Sequence, residues 1–211
     1  MIDLHTHSLL SDGCLLPSEL VRRAEVKGYK AIAITDHADF SNIDFIIPRI
    51  VKTCKMLNKY WKIKSIPGVE ITHVPPECIK DLVRFARRKG AKIVVGHGET
   101  VSEPVIPGTN RAFIEAGVSI LAHPGKIKER DVRLAKSKGV FLEITTRKSH
   151  LKTNRRLIRL ALKHNAPILV NTDTHAPGDL ISSRKRDKFL TSLGVKKKDV
   201  RKIAENPRRL I

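Results

Sequence analysis

Two histidines one residue apart stand in Ile2-Asp3-Leu4-His5-Thr6-His7-Ser8. Side chains alternate along a strand, so His5 and His7 project to one side with Asp3, while Ile2, Leu4 and Thr6 take the other. Two imidazoles aimed at one point can hold a transition metal. On a solvated edge strand the same pair would do nothing, and the rest of the chain decides. His37, Glu70, His97, His123, Asp173 and His175 each fall at the end of a short apolar run, and Asp12 lies in the polar loop after the first. Six of the nine histidines therefore share one kind of position; His73, His150 and His164 do not. Imidazoles and carboxylates suit zinc, manganese or iron, and this set exceeds what one tetrahedral site can use, so two or three divalent ions are expected.

The elements that must position these donors are legible from the pattern. Strand-length apolar runs at Ile2–Ser8, Ala31–His37, Lys64–Thr72, Ile93–His97, Ser119–His123, Val140–Thr145 and Ile168–Asp173 alternate with segments of helical period. The helices are expected over Pro17–Lys27, Asp44–Lys59, Pro76–Lys89, Thr109–Ala116, Glu129–Lys138, Thr153–His164, Arg184–Ser192 and Lys198–Glu205. Pro17 and Pro76 suit a first helical turn, and Gly28, Gly90, Gly117, Gly139 and Gly194 each follow a helical run. Repeated βα units build a parallel sheet, open or closed, with ligands at the strand C-termini. An open sheet would spread the donors along its edge. The expected fold is therefore α/β, a distorted TIM-like barrel of seven strands in one domain, residues 1–211.

Composition narrows the function classes. The chain has 211 residues, 41% of them hydrophobic, and no apolar run approaches the roughly 20 residues of a membrane span. Met1 runs directly into the expected first strand, so no cleaved leader and a cytoplasmic protein are expected. Cys14, Cys54 and Cys78 form no Cys-X-X-Cys pair and read as free thiols. Forty-one Lys and Arg against 21 Asp and Glu give a net charge of +20, which calls for an anionic partner, a phosphorylated small molecule or a nucleic acid. The chain contains no Gln, which fits a heat-adapted source.

Taken together, His5-Thr6-His7-Ser8 with Ser11-Asp12-Gly13, Thr35-Asp36-His37, Gly68-Val69-Glu70, Gly96-His97-Gly98, Ala122-His123-Pro124-Gly125 and Thr172-Asp173-Thr174-His175 resemble the PHP (polymerase and histidinol phosphatase) superfamily. The resemblance runs to Glu205-Asn206-Pro207. It implies a (β/α)7 barrel with three divalent ions (Zn, Mn or Fe) for phosphoester hydrolysis. Carried over by position, it implies that His5, His7, Glu70 and Asp173 hold one metal. Glu70 would bridge to a second on His97 and His123, and Asp12, His37 and His175 would hold the third. A carboxylate has two oxygens to share and an imidazole one lone pair, which suits Glu70 to the bridge.

Asp3, Glu143 and Asn171 are expected to orient ligand imidazoles, Glu99 is a candidate extra ligand or proton-transfer group, and Arg147 is placed to clamp a phosphate oxygen, with Lys126 less specific. The implied activity is hydrolysis of a phosphomonoester by a metal-bridging hydroxide, similar to histidinol phosphatases, with Glu70, Asp173, His175 and Arg147 as the catalytic set. The alternative is a nuclease of the same superfamily, an exonuclease or nucleotide phosphodiesterase, favoured by basic runs such as Arg184–Lys188 and Lys196–Lys202. Aromatics at 4% leave few stacking platforms for single strands. A catalytically dead binding domain is disfavoured, because every one of the ligand positions carries a competent donor.

Overall fold

The computed structural model describes residues 1–211. Its strands are β1 (Ile2–Asp3), β2 (Ala31–Ile34), β3 (His37–Ala38), β4 (Lys64–Ile71), β5 (Ile93–His97), β6 (Ile120–Ala122), β7 (Phe141–Thr145) and β8 (Ile168–Asn171). All pair in parallel in the order β1-β2-β4-β5-β6-β7-β8, with β3 beside β4. The expected second strand is thus split in two, and β2 and β3 occupy one barrel position. Thr35 and Asp36 interrupt it because their side chains turn to the loop after β1. The Thr35 hydroxyl donates to the Thr6 carbonyl, and the Asp36 carboxylate accepts from Ser8 N and from the Ser8 and Ser11 hydroxyls.

The helices are α1 (Pro17–Val26), α2 (Ile43–Tyr60), α3 (Ile79–Arg88), α4 (Thr109–Ala116), α5 (Glu129–Lys138), α6 (Asn154–His164), α7 (Ser183–Ser192) and α8 (Lys197–Glu205). Each lies within a few residues of its expected span, and all five expected glycines have positive φ. No helix is long and apolar enough to cross a membrane.

Alternation along the strands separates two apolar layers. Ala31, Ala33, Ile66, Ile93, Val95, Ile120, Ala122, Phe141 and Leu169 fill the barrel interior. Their neighbours Ile32, Val69, Val94, Leu121, Leu142 and Val170 face the helices. The next inward positions are Glu70, His97, Glu143 and Asn171, so the period of two that builds the core also delivers polar groups to its upper end. Leu210 closes the lower end.

The barrel closes at a seam between β8 and β1, made of side chains and single bridges. Leu4 N donates to Asn171 Oδ1 at 2.9 Å, the Thr172 hydroxyl donates to Asp3 Oδ2 at 2.7 Å, and Thr6 bridges Thr174. Asp3 therefore faces outward to Thr172 and touches no imidazole ring, contrary to expectation. The physical reason is that ladder pairing stops at Asp3. Leu4 packs in the interior cluster while His5 also turns inward, so strict alternation fails between them.

Cys54 is buried between α2 and the sheet, whereas Cys14 is exposed. Burial pushes the Cys54 thiol up to about 12 from 9.0. Native protein is expected to alkylate at Cys14 within minutes and at Cys54 only on unfolding, which peptide mass spectrometry would read. Between pH 9 and about 12 the unfolded chain loses this proton while the folded chain keeps it, so stability falls as pH rises through that window.

Candidate metal centre

All nine expected donors gather at the upper, C-terminal end of the barrel. His5 Nε2 and His7 Nε2 lie 3.1 Å apart. Glu70 reaches between the groups: its Oε2 lies 3.2 Å from His5 Nε2, 3.4 Å from His7 Nε2 and 2.9 Å from His37 Nδ1. Its Oε1 lies 3.3 Å from His97 Nδ1 and 3.4 Å from His123 Nε2. Asp173 Oδ1 is 3.2 Å from His7 Nε2, and its Oδ2 is 3.9 Å from His123 Nε2. At the mouth Asp12 Oδ2 lies 3.1 Å from His175 Nε2, and its Oδ1 lies 3.7 Å from His37 Nε2. The donor atoms of His7, Asp12, His37 and His175 all fall within 4.8 Å of one another, as do those of His5, His7 and Glu70.

Local backbone is spent on this placement. Four non-glycine residues have positive φ, and three of them, His73, His123 and Asp173, are in or beside the cluster. That conformation is costly for a side chain and is held here by the surrounding structure.

The donor set fits metal ions better than it fits itself. Buried side-chain atoms without a hydrogen-bond partner include both oxygens of Glu70, His7 Nδ1, both nitrogens of His97 and His123 Nδ1. All of these but His123 Nδ1 lie at ion-pair distance from an oppositely charged partner yet are misaligned for hydrogen bonds, as expected when each points at a shared point rather than at a neighbour. Electrostatics agree. Burial alone would raise Glu70, but His5 and His37 overcome it and hold the carboxyl well below the usual range. Burial drives His7 down to about 3, while His5, also opposed by burial, is raised by the carboxylates of Glu143, Glu70 and Asp173. Protons on some imidazoles thus supply positive charge that divalent ions would supply instead, with every ring neutral and ligating.

Of the other expected orienting groups, Glu143 acts on a ring directly and Asn171 acts through Glu143. Glu143 Oε2 lies 2.7 Å from His5 Nδ1 and accepts from Asn171 Nδ2 at 2.9 Å, which leaves His5 Nε2 facing the cluster. Arg147 lines the same cavity, its Nε 3.9 Å from Asp173 Oδ2 and its Nη1 3.7 Å from Asp179. Lys126 is exposed. Glu99 is outside the centre: its Oε1 accepts from Gly108 N and Asn110 N, fixing the start of α4.

Three titratable residues in the cavity, His73, Glu103 and His150, were not expected there. Glu103 places Oε2 3.0 Å from His97 Nε2 and 3.1 Å from His73 Nε2, and Oε1 3.5 Å from His150 Nε2. His97 holds Glu103 down to about 2. His150 stacks on His123 at 4.3 Å, with Nδ1 bonded to the Thr100 and Ser102 hydroxyls. The only sequence signal was a carboxylate in the loop after His97, and Glu99 shares it. Glu103→Gln is expected to weaken metal retention by about 10- to 100-fold, read by metal analysis during chelator titration, because His97 loses its charged partner.

Residues 3–129, more than half of the chain, match the family model described as the PHP domain. The chain belongs to the PHP domain family. A Methanocaldococcus jannaschii relative named an uncharacterized protein is 48% identical over 195 residues, covering 92% of this PHP chain and 88% of its own. A Clostridium botulinum protein named "Probable phosphatase" is 24% identical over 224 residues, covering 92% and 87%. A Haemophilus influenzae 5'-3' exoribonuclease is 40% identical over 70 residues, 33% of this chain and 23% of its own. Among solved structures, a chain of an archaeal ribonuclease P complex with mature tRNA superposes with a TM-score of 0.75 at 20% identity, covering 100% of this chain and 89% of its own. That likeness concerns the barrel fold. Membership places the protein among PHP phosphoesterases, with relatives named both phosphatase and exoribonuclease.

Proposed function

We propose that this PHP domain is a metal-dependent phosphomonoesterase for a small, polar ester. The observation that carries the reading is buried Glu70, whose two oxygens face two separate imidazole sets; three of those rings, His37, His97 and His123, line a cavity of about 460 Å³ that has no hydrophobic residue in its wall. His5, His7, Glu70 and Asp173 would hold one ion, Glu70, His97 and His123 a second, and Asp12, His37 and His175 a third. When bound, such ions lower the pKa of water toward about 7 and neutralise phosphate charge. The protein's own groups do the rest. Glu143 fixes His5, and Arg147, between Asp173 and Asp179, can turn two parallel N–H groups onto a phosphate oxygen. Asp12, with its side chain 55% exposed, leaves the third set open to an incoming ester. The absence of any aromatic side chain in the cavity other than histidine favours a polar leaving group over a stacked base.

The test is metal-supplemented hydrolysis of a panel of phosphomonoesters, including histidinol phosphate and mononucleotides, beside labelled single-stranded RNA and DNA. Release of inorganic phosphate from small esters, lost in His97→Ala, is the expected result. Shortening of the nucleic acid with the esters untouched would replace this reading by the nuclease one.

A further inference from the structure

The net charge of +20 is not spread evenly over the molecule. Residues 184–209, spanning α7 and α8, contain 11 Lys and Arg against three Asp and Glu, a net +8 in 26 residues. This hairpin packs at the barrel's lower end, against the starts of the strands. Three adjoining cavities of about 590, 650 and 820 Å³ are lined by it together with Met1, Lys30, Lys64 and Lys136. Thirteen lysines and arginines line these cavities, and only Arg186 and Arg208 have a carboxylate within 4.0 Å.

Helix stabilisation does not account for this charge. Cations suit helix C-termini, and Lys136 in the last turn of α5 and Lys202 in the last turn of α8 are explained that way. Lys196, Lys197 and Lys198 occupy the N-cap and first turn of α8, and Arg184, Lys185 and Arg186 the first turn of α7, where the dipole repels them. The metal centre does not account for it either, since strands of four or five residues at about 3.3 Å each separate the two ends of the barrel by roughly 15 Å. A surface kept basic at electrostatic cost, away from the chemistry, calls for a multiply charged anionic partner.

We infer that the lower face of the barrel, formed by α7 and α8, binds the phosphate backbone of a double-helical nucleic acid. Cationic clefts match a ridge of phosphates, and none of the lining residues is aromatic, so backbone contact rather than base stacking is the mode available. This inference does not depend on what the metal centre hydrolyses.

The test is fluorescence anisotropy of short labelled RNA and DNA duplexes over a range of salt, without added substrate. Log affinity is expected to fall with log salt at a slope of about 0.9 per phosphate contacted on the DNA duplex. The triple variant Lys196→Glu/Lys198→Glu/Lys202→Glu is expected to bind at least about tenfold more weakly with a shallower slope. Lys80→Glu/Arg84→Glu/Arg88→Glu on α3 makes the same charge change elsewhere and is expected to bind nearly as the parent does. Both triple variants should keep the parent's circular dichroism and metal content. Equal losses in the two variants would overturn the localised site and leave diffuse charge. No duplex binding by the parent, or a preference for anionic vesicles over either duplex, would overturn the inference outright.

Discussion

Glu70→Gln is expected to reduce phosphoester turnover to that of metal-free protein and to lower bound metal by at least one ion per chain. The substitution conserves shape, so the effect isolates charge. A neutral amide offers one acceptor and presents an NH2 where the second oxygen stood, and both oxygens of Glu70 now face imidazoles, at 3.2 Å for His5 and 3.3 Å for His97. In the metal-free protein the change also leaves His5 short of a buried anion. Loss of one partner of such a pair costs about 3–5 kcal/mol, so the unloaded variant should melt earlier. Steady-state kinetics and elemental analysis on the same preparation would check it. Near-normal turnover with full metal content would sink the proposed bridging role of Glu70.

Gly125→Ala is expected to lower stability sharply although it lies outside the donor set. Gly125 has φ of +58°, and a Cβ there would run into the Glu99 carbonyl. The left-handed conformation alone costs on the order of 1–3 kcal/mol for a side chain, and the collision adds to it. For a chain of this size a midpoint loss of about 5 °C or more follows, measurable by calorimetry. The damage should spread to chemistry, because the loop that must move carries His123 on one side, while the Glu99 side chain anchors α4 on the other. A variant with an unchanged midpoint would show that this loop yields freely.

The barrel was legible in the sequence because its period is regular. Apolar runs ending in donors located the strands and put Glu70 and His97 at the ends where ligands gather. What was hidden lies where periodicity stops. The side chains of Thr35 and Asp36 divert the second strand toward Ser8 and Thr6, and nothing in the local pattern announces a partner so distant in sequence. Asp3 could not be placed because the alternation assumed for the first strand ends at the seam. Glu103 was invisible for a related reason: the loop between β5 and α4 has no repeat to count, and two glutamates four residues apart take opposite tasks, one anchoring a helix and one facing three histidines.

The seam has a consequence for biosynthesis. Asp3 and Thr172 are 169 residues apart, so His5 and His7 acquire their final neighbours only after almost all of the barrel has been made. Closing a span of that length costs about 4.5 kcal/mol of chain entropy beyond a constant, to be met by a few hydrogen bonds and by whatever ions the ring of donors captures. A nascent chain would hold loose imidazoles, and a finished one a closed ring. Metal supply during growth should therefore set how much of the newly synthesised protein survives proteolysis, well before it sets how fast the mature protein works.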